Sequence, residues 1–362
     1  MTTQWEIEPH TLAKHEILRR YLSAWYPILS TYNPRIVYLD GFCGPGRYKG
    51  GEDGSPIIAL REALKYSQRL KNNEITFLFV DERADRIAHL NAELNNWKIP
   101  TNFHVRCKAG QFNNVLKQLL DDLEQHSLSL APTFAFIDPF GFKGLPFDLI
   151  HKLLLNPKTE VLINIMVDPI NRFLEHPDPQ TRLHIIDLFG TQKVLEVAQL
   201  GSDRITALRV LYQKQLQEYA KFVRYFEMRD DRGKIIYYLF FATNHRLGHV
   251  RMKEAFWQVD PFSGFRFSDR TDPNQLILFE LDPSMDLAKE LIHKFDGSAI
   301  QVNEIKVFVE DKTPFTAKHM RNALDLLEKD GEVCVSPCKP DGKKRRKSTF
   351  PDDVTVEFKS VI

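Results

Sequence analysis

The sequence has little of what marks secreted or membrane-spanning proteins. Its four cysteines are scattered over 362 residues, whereas a secreted domain stapled by disulfides carries a denser set. The first ten residues are polar and acidic and have no apolar signal core. The longest apolar run, IIYYLFFA, is far too short to span a bilayer. We therefore expect a soluble, cytoplasmic protein with no membrane contact.

The sequence also has no excess of charge of either sign. Lysine and arginine number 49 against 48 aspartate and glutamate residues, which leaves a net charge of +1. An anionic partner must then be met by a local patch. Hydrophobic residues make up 43% of the chain and charged residues 27%, so a large packed core is feasible. The length favours about two domains.

The cysteine spacing argues against a metal site. A structural zinc site needs four ligands, usually as two close pairs. Cys334 and Cys338 form one such pair, and no second pair follows. We expect two ordinary thiols near a strand and no metal.

Apolar runs alternate with helical patterns five times in the first half of the chain. The amphipathic pattern KHEILRRYLSAWYPIL precedes the runs RIVYLD, ITFLFVD, FHVRC, TFAFID and EVLINIMV. These runs lack inside–outside alternation, which is typical of a parallel sheet covered on both faces. After a longer helix, SDRITALRVLYQKQLQEYAKFV, a hairpin turns near Asp231-Arg232-Gly233. The pattern predicts an α/β, Rossmann-like class I methyltransferase sheet, parallel with an antiparallel C-terminal hairpin.

A second domain follows a change of composition near Asp260. The segment DPFSGFRFSDRTDPNQ indicates a loop or linker, and we place the domains at 1–270 and 271–362. Three short helical patterns come next, DLAKELIHKF, QVNEIKVFVED and TAKHMRNALDLLEKDG, and then two strands around a basic turn. This order predicts a small winged-helix-like domain.

A glycine-rich stretch, YLDGFCGPGRYKGGEDGSPIIAL, follows the first predicted strand. The strand ends at Asp40, and Gly41, Gly44 and Gly46 let the backbone approach a ligand closely. The next helix begins late, with Ser55-Pro56 as N-cap and first helical residue. A dinucleotide would need a helix N-terminus directly after the loop. The stretch therefore favours S-adenosylmethionine, with Asp40 near its cationic methionine end; the alternative is a tight turn with no ligand.

Two further strand ends support a cofactor site. Asp81 ends the second strand, where a carboxylate can accept both ribose hydroxyls of an adenosine. Gly110-Gln111 follow the third strand, and the Gln111 carbonyl can accept a hydrogen bond from the adenine amino group. The predicted cofactor-binding residues are Asp40, Gly41, Phe42, Gly44, Gly46, Asp81, Gly110 and Gln111.

The fourth strand end carries the predicted reaction chemistry. Asp138-Pro139 end the run TFAFID, and Asp138 with a neighbouring carbonyl would accept hydrogen bonds from an exocyclic amine. Phe140 would stack on the base, so that catalysis is mostly positioning. The alternative is that Asp138 caps the next helix or holds a turn. Asn164, Asp168 and Asn171-Arg172 either line the same pocket or belong to loops.

The sequence resembles the three-Cys-motif partner family. The matching pieces are HTLAKHEILRRYLSAWYPIL, YLDGFCGPGRY with GSPIIAL, FVDE, FIDPFG and YYLFFATNHRLGHVRMKEAFW, and they span most of residues 10–260. The resemblance implies a class I methyltransferase-like fold, S-adenosylmethionine as cofactor and a three-Cys-motif, radical-SAM-like partner protein. Lys14 and His15 fall in its first motif, where we expect a solvated helix face and no catalytic role. DPFGFKGLPF also resembles a segment of tRNA guanine-N2 dimethyltransferases, which implies that Asp138 holds a guanine amine.

A basic cluster in the second domain suggests how nucleic acid is held. The basic turn between the last two predicted strands would contact phosphates without sequence preference. Basic residues on the preceding helix would reach a groove of the nucleic acid. The alternatives are a solvated loop or a protein-contact surface. The predicted nucleic-acid-binding residues are Lys318, Arg321, Lys343, Lys344, Arg345, Arg346 and Lys347.

These features lead to one main prediction and two rivals. The main prediction is an S-adenosylmethionine-dependent methyltransferase acting on a base of RNA or DNA, at an exocyclic purine amine, with Asp138, Pro139 and Phe140 at the catalytic centre. The first rival is a non-catalytic scaffold that binds nucleic acid for a radical-SAM-like partner. The second rival is a methyltransferase for a protein or a small molecule.

Overall fold

The computed structural model describes residues 3–269, 282–338 and 341–360. The chain divides into two compact units. Of the described residues, the first unit comprises 3–255 and 266–269, and the second comprises 256–265, 282–338 and 341–360.

The first unit is built on an eight-stranded sheet in the order β3-β2-β1-β4-β5-β7-β6-β8. Strands β1 to β5 are parallel, and β7 pairs antiparallel with both β5 and β6. This arrangement confirms the predicted Rossmann-like methyltransferase sheet with its antiparallel hairpin. The strands are β1 Arg35–Asp40, β2 Glu74–Asp81, β3 Phe103–Ala109, β4 Thr133–Ile137, β5 Thr159–Ile165, β6 Phe222–Arg229, β7 Ile235–Thr243 and β8 Arg266–Ser268.

Helices lie between the strands, and two short 3-10 segments, Gln192–Gln199 and Gly201–Asp203, precede α8. The residues of α9 up to 255 belong to the first unit. The helices are α1 Pro9–Tyr32, α2 Ser55–Lys65, α3 Ala84–Leu94, α4 Phe112–Gln125, α5 Phe147–Leu155, α6 Val167–Phe173, α7 Pro179–Phe189, α8 Arg204–Gln217 and α9 Arg246–Val259.

The two faces of the sheet have different cores. One face packs aliphatic residues of β1, β4 and β5 against α4, α5, α7 and α8. The other face is aromatic: Tyr21 and Trp25 of α1 contact Phe134 of β4, and Tyr26 contacts Phe77 of β2. Burial on both faces explains the continuous apolar runs of the central strands.

Several local predictions were wrong. Ser55 is the first residue of α2 rather than its N-cap, which is Gly54, because the Ser55 hydroxyl hydrogen-bonds to Asp40. Arg266–Ser268 was predicted as linker but forms β8, parallel to β6. Strand β3 lies at the edge of the sheet and alternates between exposed and partly buried residues. The long helix before the hairpin ends at Gln217, because Phe222 already belongs to β6.

The second unit has the element order of a winged helix, as predicted. It consists of α10 Ser284–Phe295, β9 Ala299–Gln301, α11 Val302–Lys312, α12 Ala317–Lys329, β10 Val333–Val335 and β11 Thr355–Phe358. The short strand β9, which the sequence did not reveal, completes an antiparallel sheet in the order β10-β11-β9. Leu291, Ile305, Leu324 and Val356 are fully buried in the core of this unit. The loop between β10 and β11 is the wing.

Neither a membrane span nor a metal cluster is found in the described part of the chain. No helix there is long and apolar enough to cross a bilayer. No three His, Cys, Asp or Glu side chains in those ranges come together as a metal site.

Candidate functional site

The sheet register brings the predicted site residues to one edge. Asp40 and Asp81 end β1 and β2, and these strands are parallel neighbours. Asp138 follows β4 directly, and Asn164 is the last residue but one of β5. Since carboxyl ends of parallel strands meet at the same edge, these polar groups share one rim of the sheet.

Asp40 is fully buried beneath the glycine loop. Burial raises the pKa of its carboxyl to about 7, although hydrogen bonds from the Ser55 hydroxyl and the Phe42 N–H oppose the change. The Phe42 nitrogen lies 3.3 Å from Asp40 Oδ1. Near neutral pH such a carboxyl can lose its proton when a cation binds beside it, because a nearby positive charge favours the ionised form.

The glycine loop is shaped by packing within the protein as well as by backbone strain. Gly44 and Gly46 have φ of 63° and 84°, which L side chains rarely adopt. A Cβ on Gly41 would lie 2.8 Å from the Phe112 ring, and one on Gly46 would lie 2.7 Å from Leu90 Cδ1. The loop therefore needs these glycines whether or not it binds a ligand. They are also compatible with the alternative that the sequence left open, a tight turn with no ligand.

Asp81 ties the loop to the third helix. Its Oδ2 accepts a hydrogen bond from the Gly44 N–H at 3.0 Å, and its Oδ1 accepts one from the Arg83 N–H at 2.9 Å. The Arg86 guanidinium also reaches Oδ2, at 3.3 Å. The Gly110 N–H donates to the Asp81 carbonyl at 2.9 Å. The carboxylate is buried, and three of its four acceptor positions are used.

Gln111 lies beyond Gly110 and is exposed. It is the N-cap residue of α4, and its side-chain carbonyl accepts from Asn114 Nδ2 at 3.3 Å. The predicted acceptor for an adenine amine is thus at the rim, facing solvent.

Asp138 is held by two side chains: Lys14, which the sequence did not link to it, and Asn164, which the sequence left open as a pocket or a loop residue and which lies in β5. The Lys14 ammonium of α1 donates to Asp138 Oδ2, and Asn164 Nδ2 donates to Asp138 Oδ1 at 2.7 Å. Asn164 Oδ1 is buried and has no partner. One carboxylate and one orphaned carbonyl oxygen are therefore fixed side by side.

The expectation of a solvated Lys14-His15 face was wrong. Lys14 is 5% exposed and His15 is 6% exposed, and both lie near the rim. Burial, with the neighbouring Lys14 charge, lowers the pKa of His15 to about 3. His15 Nδ1 has no hydrogen-bond partner. The neutral imidazole is a second unsatisfied group at this edge.

Aromatic and cationic groups cover the rim. Phe140 is 70% exposed, and its ring lies 5.8 Å from the Trp5 ring in an edge-on arrangement. Trp5 also contacts Tyr48, and the Arg86 guanidinium lies 4.8 Å from the Trp5 ring. The Lys49 N–H donates to the Trp5 carbonyl at 2.9 Å, which fixes the segment that carries Trp5.

These side chains leave only a small cavity at the rim. The rim pocket has a volume of about 30 Å³, much less than the roughly 300 Å³ or more that small-molecule sites usually offer. Its lining residues include Trp5, His15, Phe42, Gly44, Gly46, Tyr48, Asp138 and Phe140. A ligand of adenosine size can enter only if lining side chains, Trp5 among them, move.

Asp168 has a different surrounding. Lys234 Nζ contacts its Oδ1 at 2.5 Å, and Arg172 contacts its Oδ2 at 3.4 Å. Asp168 thus ties α6 to the hairpin. Neither it nor Asn171 lines the rim pocket.

The predicted nucleic-acid-binding residues of the second unit fall into two groups. Arg345 was predicted to bind nucleic acid, but its guanidinium pairs with Glu328 of α12 and lies over the Phe350 ring, so it holds the wing. Lys343 also contacts Asp341 at 3.0 Å. The other predicted nucleic-acid-binding residues are exposed: Lys318 and Arg321 of α12, and Lys343, Lys344, Arg346 and Lys347 of the wing.

Sequence reasoning missed Lys14, Trp5 and Arg86. A signal existed for Lys14, because it lies three, four and seven residues before Ile17, Leu18 and Tyr21, on the apolar stripe of α1. Trp5 lies outside any periodic pattern, and only the fold brings it to the rim.

Comparison with known proteins finds a family model that is similar to part of the C-terminal region of the chain. Residues 266–340 match the family model of the GMT-like wHTH domain. No curated protein matches the chain.

Similar solved structures include several methyltransferases. A Legionella pneumophila protein of the family model DUF519 is 13% identical, with a TM-score of 0.39, over 66% of this chain and 85% of that one. Human methyltransferase-like protein 13 in complex with SAH is 10% identical, with a TM-score of 0.35, over 75% and 97%. A SAM-dependent methyltransferase of Methanosarcina mazei is 10% identical, with a TM-score of 0.25, over 60% and 97%. The fold assignment rests on the strand order of the sheet.

Proposed function

We propose that this protein is an S-adenosylmethionine-dependent methyltransferase that modifies an exocyclic purine amine in a nucleic acid. The observation that carries the proposal is the Asp138–Asn164 pair at the rim. Asp138 is anchored by Lys14 and Asn164, and Asn164 Oδ1 remains buried without a donor. An exocyclic amine has two N–H groups, which match the two acceptors.

The chemistry that these residues supply is orientation. When the amine donates to Asp138 and to Asn164 Oδ1, its nitrogen is held in one direction with little freedom to turn. Positioning of this kind lowers the barrier by removing entropy before the reaction. Phe140, exposed beside Asp138, offers a flat apolar surface on which the base can stack. Lys14 balances the Asp138 charge and keeps the carboxylate in place.

The cofactor site uses the neighbouring strand ends. S-adenosylmethionine would supply the methyl group as a sulfonium. The buried Asp40 carboxyl would pair with the cationic methionine end of the cofactor. The Asp81 carboxylate would accept hydrogen bonds from its ribose hydroxyls. One acceptor position of Asp81 is open, and release of Arg86 opens a second. Gly41, Phe42, Gly44, Gly46, Gly110 and Gln111 complete the predicted set.

The winged helix is the proposed nucleic-acid contact. The exposed side chains of Lys344, Arg346 and Lys347 in the wing suit phosphate, and Lys318 and Arg321 of α12 suit a groove. Counterion release from such contacts makes binding depend on salt. The three-Cys-motif partner family, its radical-SAM-like partner and the choice between RNA and DNA stay predictions.

Methyl transfer to purified nucleic acids tests the proposal. The protein is incubated with radiolabelled S-adenosylmethionine and, in separate reactions, total tRNA, rRNA and genomic DNA. We expect label in one pool, and a loss of at least a hundredfold with Asp138→Ala. An Asp168→Ala variant is the matched control, since Asp168 lies outside the rim pocket. Equal labelling by wild type and Asp138→Ala contradicts the proposed role.

A second candidate function is a non-catalytic scaffold that binds nucleic acid. The small volume of the rim pocket favours it, and so does the pairing of both carboxylates, Asp81 with Arg86 and Asp138 with Lys14. Calorimetric titration with S-adenosylmethionine and S-adenosylhomocysteine separates the two functions. Binding without transfer to any pool supports the scaffold, whereas binding with transfer supports the enzyme.

A further inference from the structure

A second cavity lies at the opposite edge of the same sheet. It is lined by Trp25, Ile28 and Leu29 of α1, by Lys158 and Glu160 at the start of β5, and by Leu247 of α9. We name it the amino-edge groove, because β5 begins there. The strands between this groove and the rim are five to eight residues long, so the two sites are roughly 20 Å apart at about 3.3 Å per residue.

The amino-edge groove is larger than the rim pocket. Its volume is about 320 Å³, within the range of roughly 300–1,000 Å³ that small-molecule sites occupy. Its walls are mostly apolar side chains. Leu247 at its mouth is 46% exposed and Tyr32 is 82% exposed, so apolar surface continues outward from the cavity.

The floor of the groove is polar but already satisfied. Glu160 is 3% exposed and accepts hydrogen bonds from the Tyr21 hydroxyl at 2.7 Å and the Thr243 hydroxyl at 2.8 Å. A Cβ on Gly248 would lie 2.0 Å from Glu160 Oε1, so the α9 backbone also lies against this carboxyl. Glu160 therefore offers little further bonding capacity to a charged ligand group.

The mouth of the groove carries a cation. Lys158 is exposed, and its Nζ contacts the neutral Asn33 Oδ1 at 2.9 Å. It has no acidic partner within the described ranges. Arg251, by contrast, is paired with Glu254 at 2.7 Å. His245, which is exposed, also lines the groove, near the Glu160 carboxyl. The groove thus combines a mostly apolar interior with a lysine at its entrance that has no acidic partner in the described ranges.

We propose that the amino-edge groove binds a small amphipathic organic anion. Its aromatic or aliphatic body, about the size of an indole ring, lies between α1 and α9, and its carboxylate faces Lys158. The apolar walls supply most of the affinity, and the charge at the mouth selects the anion over a cation of the same shape.

Paired probes of the same shape and opposite charge test this inference. Indole-3-propionate and tryptamine are titrated into the full-length protein by calorimetry and by ligand-observed NMR, up to about 10 mM. We expect indole-3-propionate to bind at least tenfold more tightly than tryptamine. Equal affinities, tighter binding of tryptamine, or no binding by either probe overturns the proposal.

Two variants locate the binding. Lys158→Glu should weaken indole-3-propionate binding by roughly tenfold, given the modest energies of exposed charge pairs. Ile28→Trp should fill the groove and abolish binding of both probes. Lys193→Glu, an exposed lysine of a 3-10 segment, is the matched control and should bind as wild type does. Unchanged binding in both groove variants places the ligand elsewhere and refutes the inference. Since S-adenosylmethionine binding uses the rim, its titration separates this result from the proposed function.

Discussion

Replacement of Asp40 by asparagine should stabilise the protein in the absence of ligand, and the gain should grow with pH. Burial raises the pKa of the Asp40 carboxyl from its ordinary value of 3.8 to about 7. Between these values the unfolded chain has lost the proton and the folded chain has kept it. The unfolded state then binds fewer protons, so the free energy of unfolding falls as the pH rises through this window.

The magnitude follows from the width of the window. Each pH unit costs about 1.4 kcal/mol of stability, so the full effect above pH 7 is about 4 kcal/mol. Asparagine keeps an acceptor for the Phe42 N–H, its amide can pair with the nearby Ser55 and Tyr38 hydroxyls, and it has no charge to bury. The variant should therefore differ little from wild type at pH 4 and gain about 4 kcal/mol at pH 8.

Urea unfolding of both proteins at pH 4, 5, 6, 7 and 8 measures this difference. Asp121→Asn, at an exposed position of α4, is the control and should show no trend with pH. A gain that does not change with pH, or a loss that grows with pH, refutes the reasoning. The same Asp40→Asn variant should bind S-adenosylmethionine at least tenfold more weakly, because the cation loses its carboxylate; unchanged affinity would remove Asp40 from the site.

Three further predictions concern other parts of the chain. As the pH falls below 6.5, His15→Gln should lose less unfolding free energy than wild type, by up to about 1.4 kcal/mol per pH unit. The reason is that the folded state keeps His15 neutral down to about pH 3. An equal loss with falling pH in both proteins, measured by urea unfolding, would contradict this. Arg345→Ala should lower the unfolding temperature in scanning calorimetry. Lys344→Ala should instead weaken duplex binding and reduce the slope of log affinity against log salt concentration by about 0.9. The reverse pattern would show that Arg345 binds nucleic acid and that Lys344 stabilises the wing. Trp5→Ala should open the rim pocket and tighten S-adenosylhomocysteine binding in calorimetry, and weaker binding would show that Trp5 instead contacts the ligand.

The first unit could be predicted from sequence because its signals are local. Continuous apolar runs identify strands that are buried on both faces, and a polar residue where such a run stops identifies a strand end. Parallel pairing then places Asp40, Asp81 and Asp138 on one edge without any knowledge of loops. The same reasoning found the hairpin and the element order of the winged helix.

What could not be predicted depends on contacts between distant segments. Strand β8 has three residues, too few for a periodic signal, and forms only because β6 offers a free edge. Ser55 satisfies every local rule for an N-cap, but its hydroxyl is taken by Asp40. Arg345 belongs to a run of cations, and only folding reveals that Glu328 holds it.

We propose that the rim of the sheet directs a methyl group to an exocyclic nitrogen, and identification of the methylated nucleoside is the most direct test. Nucleic acid treated with the protein and S-adenosylmethionine is digested to nucleosides and examined by mass spectrometry. We expect a methyl group on the exocyclic amine of adenosine or guanosine, and we expect it to be absent when the Asp138→Ala variant replaces wild type. A methyl group on a ring carbon, on ribose or only on protein would contradict it.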